Sequence, residues 1–345
     1  MRMPSKLFIN EITPNQWTQE ARTFGDYSIY QTWPYQQVRA DRDGQEINRV
    51  RVYDKEGRTE LLCQTRIKRI RPLGLRVGYI QWGPLVCDKD GSLRCSAQAL
   101  QRLRDYYLTN HVHILRVVPN IEDNGNGQRL RELLLLSDFE PCRRIPPYHT
   151  QIISLEASEE DLRQGLHQSW RRKLRKAEKA GIRLAYHTDE DTLHIMDRLY
   201  REMVQRKGIR ALDFEQFRGP QRLLDPDERI DQIVAYYQGQ PVTSLVCSNL
   251  GQNGILLMVA SDDTGLACHS SYLVWWDSLL QSQRKGMRDY DVGGIDFEHN
   301  PHVSRFKAGL GGRNCRHLGT FDAYASRLVK VRWGLAEKTY HLIKA

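Results

Sequence analysis

The sequence predicts an α/β (α+β) chain built as two similar units side by side. Three observations carry this. The chain has 345 residues, which at roughly 150 residues per domain makes about two cores. Strand-like apolar runs alternate with helical periods in both halves. A breaker-rich stretch, Asp138-Phe139-Glu140-Pro141 and then Ile145-Pro146-Pro147, separates the halves.

In the first half, residues 47–53 and 61–70 read as strands, followed by 78–82 before a Gly83-Pro84 turn. Residues 97–109 read as a helix because Leu100, Leu103, Tyr107 and Leu108 recur at helical spacing. A buried strand at 113–118 stops at Pro119, and a short helix follows at 128–136. After the breakers comes a strand at 150–155, making this the domain boundary. The second half opens on Ser158-Glu159-Glu160-Asp161, a Ser-x-x-Asp helix start, and its helix runs to Gly181. Leu162, Leu166, Trp170, Leu174 and Ala177 form its apolar stripe; Arg172, Lys176 and Lys179, continued by Arg183, line the opposing face. A strand at 183–186, a helix at 191–206, strands at 230–238, 240–249 and 254–261, a helix at 270–285 and a strand at 289–292 complete the half.

Apolar residues make up 40% and charged residues 27% of the chain, with a mean hydropathy of -0.60, a composition expected to be globular throughout. No apolar run approaches the roughly 20 residues that span a bilayer, and the first residues lack the apolar core of a secretion signal. A cytoplasmic location is expected. Seven cysteines, an odd count without a Cys-x-x-Cys pair, read as reduced thiols. The net charge of +9 favours a polyanionic partner: nucleic acid, a phosphate-bearing substrate or an anionic membrane face.

Several constellations can carry chemistry. Residues 170–183 hold seven basic residues against one acidic residue, Glu178. Such a face can follow a phosphate backbone or simply be solvated. The glycine turns at 122–127 and 262–267 approximate a pyrophosphate loop of acyl-CoA-binding acetyltransferases, yet both carry acidic residues where phosphates would approach. Hydrolase, zinc-protease and nucleotide-loop signatures are absent. His111 and His113 make a weak metal pair with a structural reading, and Asp296, Glu298, His299 and His302 crowd one loop. Most unlike filler is Tyr290-Asp291-Val292-Gly293-Gly294-Ile295-Asp296, followed by Phe306-Lys307-Ala308-Gly309-Leu310-Gly311-Gly312. Phe306 and Lys307, expected on an exposed loop, combine base stacking with a phosphate contact; the glycines allow close approach to a ligand or merely supply turns.

These residues resemble the FemABX family of peptidyl aminoacyltransferases along almost the whole chain. Gln31-Thr32-Trp33-Pro34-Tyr35-Gln36-Gln37-Val38-Arg39 resembles the start of the family's substrate-binding region. Tyr79-Ile80-Gln81-Trp82-Gly83-Pro84 is similar to its Tyr-x-x-Arg-Gly-Pro turn, with Trp82 in place of arginine. Leu115-Arg116-Val117-Val118-Pro119, the run from Trp170 to Gly181, Gln205-Arg206-Lys207-Gly208-Ile209 and Gly319-Thr320-Phe321-Asp322 continue the resemblance in order. The two glycine-rich pieces around Asp291 and Lys307 are its most specific parts.

The resemblance implies two tandem GNAT-like domains with mixed sheets flanked by helices, in the compact form without a coiled-coil arm. The first would span 1–149, completed by a helix at 325–345; the second would span 150–324 and contain the basic helix 159–181. It implies an aminoacyl-tRNA donor and, as acceptor, the stem-peptide amine of a lipid-linked or nucleotide-linked muropeptide precursor. Contact with the inner membrane face is possible on this reading. No cofactor and no metal are implied. Arg39, Arg206 and Trp33 would hold the precursor and its phosphates; Phe306 and Lys307, with Arg172, Lys176, Lys179 and Arg183, would hold the donor, and Lys307 is the catalytic candidate. Two other readings stay open: the same fold using acyl-CoA on an envelope glycan or lipid precursor, and a non-catalytic RNA- or precursor-binding module.

Overall fold

The computed structural model describes residues 6–9, 11–209, 211 and 213–344. The chain divides into two compact units, Met1–Tyr148 with Arg316–Ala345, and His149–Cys315. The first contains β1 (Lys6–Ile9), α1 (Pro14–Ala21), α2 (Trp33–Arg42), β2 (Glu46–Tyr53), β3 (Thr59–Ile70), β4 (Leu75–Gln81), α3 (Ala97–Asn110), β5 (Ile114–Val118), α4 (Gly125–Leu136) and β6 (Glu140–Pro141). Its sheet order is β1-β2-β3-β4-β5-β14-β6, where β14 (Phe321–Tyr324) comes from far along the chain and leads into α12 (Arg327–Lys344). Only β4 and β5 run parallel, which requires the crossover that α3 supplies. Leu100, Leu103 and Tyr107, read from the sequence as one helical face, are buried in its core with Leu61, Ile80 and Phe321.

The second unit contains β7 (His149–Ser154), α5 (Glu159–Gly165), α6 (Gln168–Glu178), β8 (Arg183–His187), α7 (Leu193–Lys207), α8 (Glu215–Gln221), β9 (Asp231–Tyr237), β10 (Gln240–Leu250), β11 (Asn253–Ser261), α9 (Asp263–Ala267), α10 (Ser270–Arg284), β12 (Asp289–Asp291), α11 (Pro301–Ala308) and β13 (Arg313–Arg316). Its sheet order is β13-β7-β12-β11-β10-β9-β8. Here β11 and β12 are the parallel pair, crossed by α10. Each unit thus places one helical crossover beside one parallel pair in an otherwise antiparallel sheet.

Three expectations change. The helix at 159–181 is two helices, because the chain turns extended at Leu166. There the His167 amide donates to the Gly309 carbonyl at 2.9 Å, and the His167 ring caps α6 by accepting from the Ser169 amide. Residues 316–324, assigned above to the second domain, belong to the first unit because β14 pairs with β5 and β6. The segment carrying Phe306 and Lys307 is not a loop but α11, opened by Pro301 in its first turn.

Candidate functional site

The chemistry-bearing residues of the second unit gather where β11 and β12 part. These strands pair over three residues only, from Asn253 with Asp289 to Ile255 with Asp291. Beyond them the chain bonds back toward β7, Val292 N–H to the Gln151 carbonyl at 3.1 Å and Ile295 N–H to the His149 carbonyl at 2.8 Å. At the turn, the buried Asp291 carboxylate accepts from Gly293 N–H at 2.8 Å and from the Thr150 hydroxyl. Gly293 has φ +78°, and a Cβ there would sit 3.2 Å from Lys307 Nζ. The conformation calls for glycine, and a Cβ would crowd the Lys307 ammonium.

Lys307 closes this knot. Its ammonium donates to the Gly294 carbonyl at 2.8 Å, and its side chain is buried, with 7% of the residue exposed. Burial lowers its pKa to about 8, against the opposing pull of Asp291. The exposed loop lysine expected above is therefore a buried helical one. Its charge is desolvated because α11 packs over the parting strands.

Phe306, one residue earlier, is half-buried in an aromatic cluster. Its ring lies 4.9 Å from Tyr272, 5.7 Å from Trp275 and 5.8 Å from Trp170. Trp170 is the anchor of the basic helix α6, so the apolar face of that helix and the Phe306-Lys307 pair meet in one cluster. Gly309 permits the approach, since a Cβ there would come within 2.6 Å of the Trp170 ring. Arg172, Lys176, Lys179 and Arg183 are exposed, while Trp170, Leu174 and Ala177 are buried. Glu178, the single acid of the segment, is paired with Arg163 at 2.8 Å. Lys173 donates to the Tyr272 hydroxyl at 3.0 Å. Burial, with Lys173 and Lys176 nearby, holds the His269 imidazole below its ordinary pKa.

Arg206 lies elsewhere in this unit, on α7. Its guanidinium donates to the Ser261 carbonyl at 2.9 Å and pairs with the exposed Asp263 at 3.0 Å. Arg39 and Trp33 lie on α2 of the first unit. Arg39 is 3.6 Å from Asp43, and Arg66, which the sequence reading missed inside the apolar run of β3, stands 3.6 Å from the same carboxylate. Arg66 is buried and bonds Gln81 at 2.9 Å; burial and then the charge of Arg39 hold its pKa below the usual value. Arg42 stands 3.8 Å from it as well, so three guanidinium groups gather at one carboxylate. The Arg49 guanidinium stacks 3.2 Å over the Trp33 ring. Trp82, at φ +52°, lies in an aromatic set with Tyr30 at 4.7 Å, Tyr148 at 5.2 Å and His317 at 5.4 Å. Burial pushes the His317 imidazole down to about 4, so it is neutral at pH 7.

Both glycine turns are closed by the chain itself. Asn124 caps α4 by accepting from Gly127 N–H at 3.5 Å, and Asp262 caps α9 by accepting from Gly265 N–H at 2.7 Å. A side-chain oxygen therefore stands where a pyrophosphate would meet the helix N-terminus. His113 accepts from Arg76 N–H at 3.0 Å, a structural bond. Among the described residues, no cluster of three or more His, Cys, Asp or Glu is arranged to hold a metal, and no helix is long and apolar enough to cross a membrane.

Comparison with known proteins accords with this architecture. Residues 165–307 match the family described as "Acetyltransferase (GNAT) domain". The crystal structure of FemX aligns with a TM-score of 0.79 at 15% identity, covering 92% of this chain and 97% of that one. A tandem GNAT protein from the clavulanic acid biosynthesis pathway aligns at 0.50 and 12% identity, covering 93% and 99%. The C-terminal domain of a putative lysylphosphatidylglycerol synthetase from Agrobacterium fabrum aligns at 0.55 and 7% identity, covering 94% and 95%. No curated protein matches the sequence. The chain therefore has a FemX-like tandem GNAT fold, and residues 165–307 of its second unit match the acetyltransferase (GNAT) family model.

Proposed function

We propose that this protein is an aminoacyltransferase that moves an amino acid from aminoacyl-tRNA to the stem-peptide amine of a peptidoglycan precursor, as in interpeptide bridge formation. The observation that carries the reading is the junction of α6 and α11: the exposed basic face of one helix and the buried Lys307 of the other are tied through the Trp170-Phe306 contact. A polyanion following Arg172, Lys176, Lys179 and Arg183 would bring its end toward Phe306 and Lys307. The self-capped glycine turns favour this donor over acyl-CoA.

The donor ester is already activated, so the reaction needs positioning and charge stabilisation more than a protein nucleophile. The acceptor nitrogen bonds to the acyl carbon, the ester C–O bond breaks, and the ribose oxygen leaves with a proton. Lys307, as an ammonium in a desolvated pocket, stabilises the tetrahedral oxyanion, where a fixed charge acts more strongly than in water. Phe306 supports the terminal nucleotide. Arg39 and Trp33 bind the precursor, the guanidinium at a phosphate, and Arg206 is a separate candidate for a phosphate contact. On this reading the reaction occurs in the cytoplasm, at the inner membrane face where the precursor is lipid-linked.

The test is transfer to muropeptide precursors by the purified protein, with charged tRNA and acyl-CoA offered separately. Transfer from charged tRNA alone is expected. Transfer from acyl-CoA alone would make this an envelope N-acyltransferase, and binding without transfer from either donor would make it a binding module.

A further inference from the structure

The helix α12 carries a face that the first unit does not cover. Val329 is buried, and Trp333 packs with it against Leu75, Val77 and Ile114. On the opposite side Leu328, Val331 and Leu335 are 77%, 60% and 61% exposed. Their spacing of three and four residues sets them in one row. Arg327 and Arg332, at helical positions on either side of the row, are exposed as well, Arg332 with one guanidinium nitrogen donating to the Leu73 carbonyl. By sequence the helix holds five basic residues and one acidic residue, Glu337, and that glutamate is bound inward by Arg116 at 2.7 Å.

A second observation adjoins the row. Val331 and Leu335 also line a cavity of about 460 Å³ with three cations, Arg143, Arg144 and Lys330, and two carboxylates, Glu140 and Glu337. Its cations are partly matched, Lys330 by Glu140 and Arg144 by Glu337; Arg143 is exposed. The cavity thus puts cationic groups beside an apolar edge. That pattern suits an anionic headgroup whose acyl chains continue along Val331 and Leu335.

We propose that α12 is an interfacial helix that seats the protein on an anionic phospholipid surface. The Leu328-Val331-Leu335 row enters the headgroup boundary, Arg327 and Arg332 reach phosphates from its flanks, and one headgroup occupies the Arg143-Lys330 cavity. An apolar row between cationic flanks is the arrangement by which an amphipathic helix lies in a membrane interface. A second copy of this chain would set its own cationic flanks against these, whereas an anionic lipid surface complements them. The proposal stands on α12 alone and does not depend on which donor the enzyme uses.

The experiment is co-sedimentation of the full chain with vesicles of phosphatidylcholine alone and of phosphatidylcholine mixed with phosphatidylglycerol, at low and high salt. Binding to the mixed vesicles at low salt, weakened by salt and absent on phosphatidylcholine alone, is expected. Replacing Leu328, Val331 and Leu335 together with Ser is expected to weaken binding by roughly tenfold or more. Arg327→Gln and Arg332→Gln should each weaken it about fivefold. All five positions are exposed, so a thermal melt should show the fold unchanged. Failure of the folded wild-type protein to bind mixed vesicles, or binding untouched by the triple replacement, would overturn the proposal. So would a wild-type dimer in light scattering that the triple replacement makes monomeric, since the row would then be covered by a second copy. Transfer to a soluble, nucleotide-linked precursor should be unchanged by the triple replacement, which separates loss of the membrane contact from loss of the catalytic reading.

Discussion

Replacing Lys307 with Met keeps its length and apolar stem while removing its charge and donor. The fall of its pKa from 10.5 to about 8 corresponds to about 3 kcal/mol of cost for carrying the charged form in the fold. The unfolded chain keeps this proton up to the ordinary value, whereas the folded chain releases it near pH 8. Between those values the unfolded state binds more protons, so this group makes the wild type more stable as pH rises from about 8 to about 10.5. Below that window the cost is complete. Lys307→Met should therefore lack that rise of about 3 kcal/mol when denaturant unfolding is followed across the window. At neutral pH the relief of charge is offset by an unpaired Gly294 carbonyl, about 1 to 3 kcal/mol, leaving little net change. Transfer from charged tRNA in a single turnover should fall by about ten- to a hundredfold, the worth of one charged contact in the transition state. Because the ammonium acts, the wild-type rate should decline as pH rises through about 8. Lys307→Arg should recover only part, since a planar fork does not occupy an ammonium's position. Full activity of Lys307→Met, or stability curves parallel to the wild type across the window, would refute the argument.

Other expectations follow from the same geometry. Replacing Arg172, Lys176, Lys179 and Arg183 with Gln should reduce the log–log salt slope of tRNA binding by about 3; an unchanged slope in a folded protein would return that face to plain solvation. Arg39→Gln and Arg206→Gln should each raise the KM for the precursor about tenfold or more, with melting temperatures near the wild type; an unchanged KM would remove that residue from the acceptor site. Asp26, which accepts from Val86 N–H at 3.0 Å and Cys87 N–H at 3.1 Å, is raised by burial to about 7. The folded state binds its proton more tightly than the unfolded state, so this group makes stability fall as pH rises from about 4 to about 7. Asp26→Asn should flatten that fall in thermal melts, and an identical profile would contradict it.

Sequence by itself determined the elements whose burial is written in local periodicity. The stripes of α3 and α6 are legible because residues three and four apart share a helix face whatever lies beneath it. The order of strands and helices, the mid-chain breakers and the glycine-rich pieces around Asp291 and Lys307 were legible too. Short polar helices were harder. α1 has a Thr13-x-x-Gln16 capping box that sequence inspection could have found, but eight residues give little apolar period; α11 is as short, and its glycine tail reads as a turn. What only the tertiary structure decided is what long-range partners impose. The break before α6 depends on a bond from His167 to Gly309, and the assignment of β14 depends on pairing with β5 and on Asp322 meeting Arg116 at 2.7 Å. Lys307 shows the physical reason. A residue's charge is local, but its desolvation is set by whichever segments fold over it, here α11 against the parting of β11 and β12, and no spacing within Phe306-Lys307 records that contact.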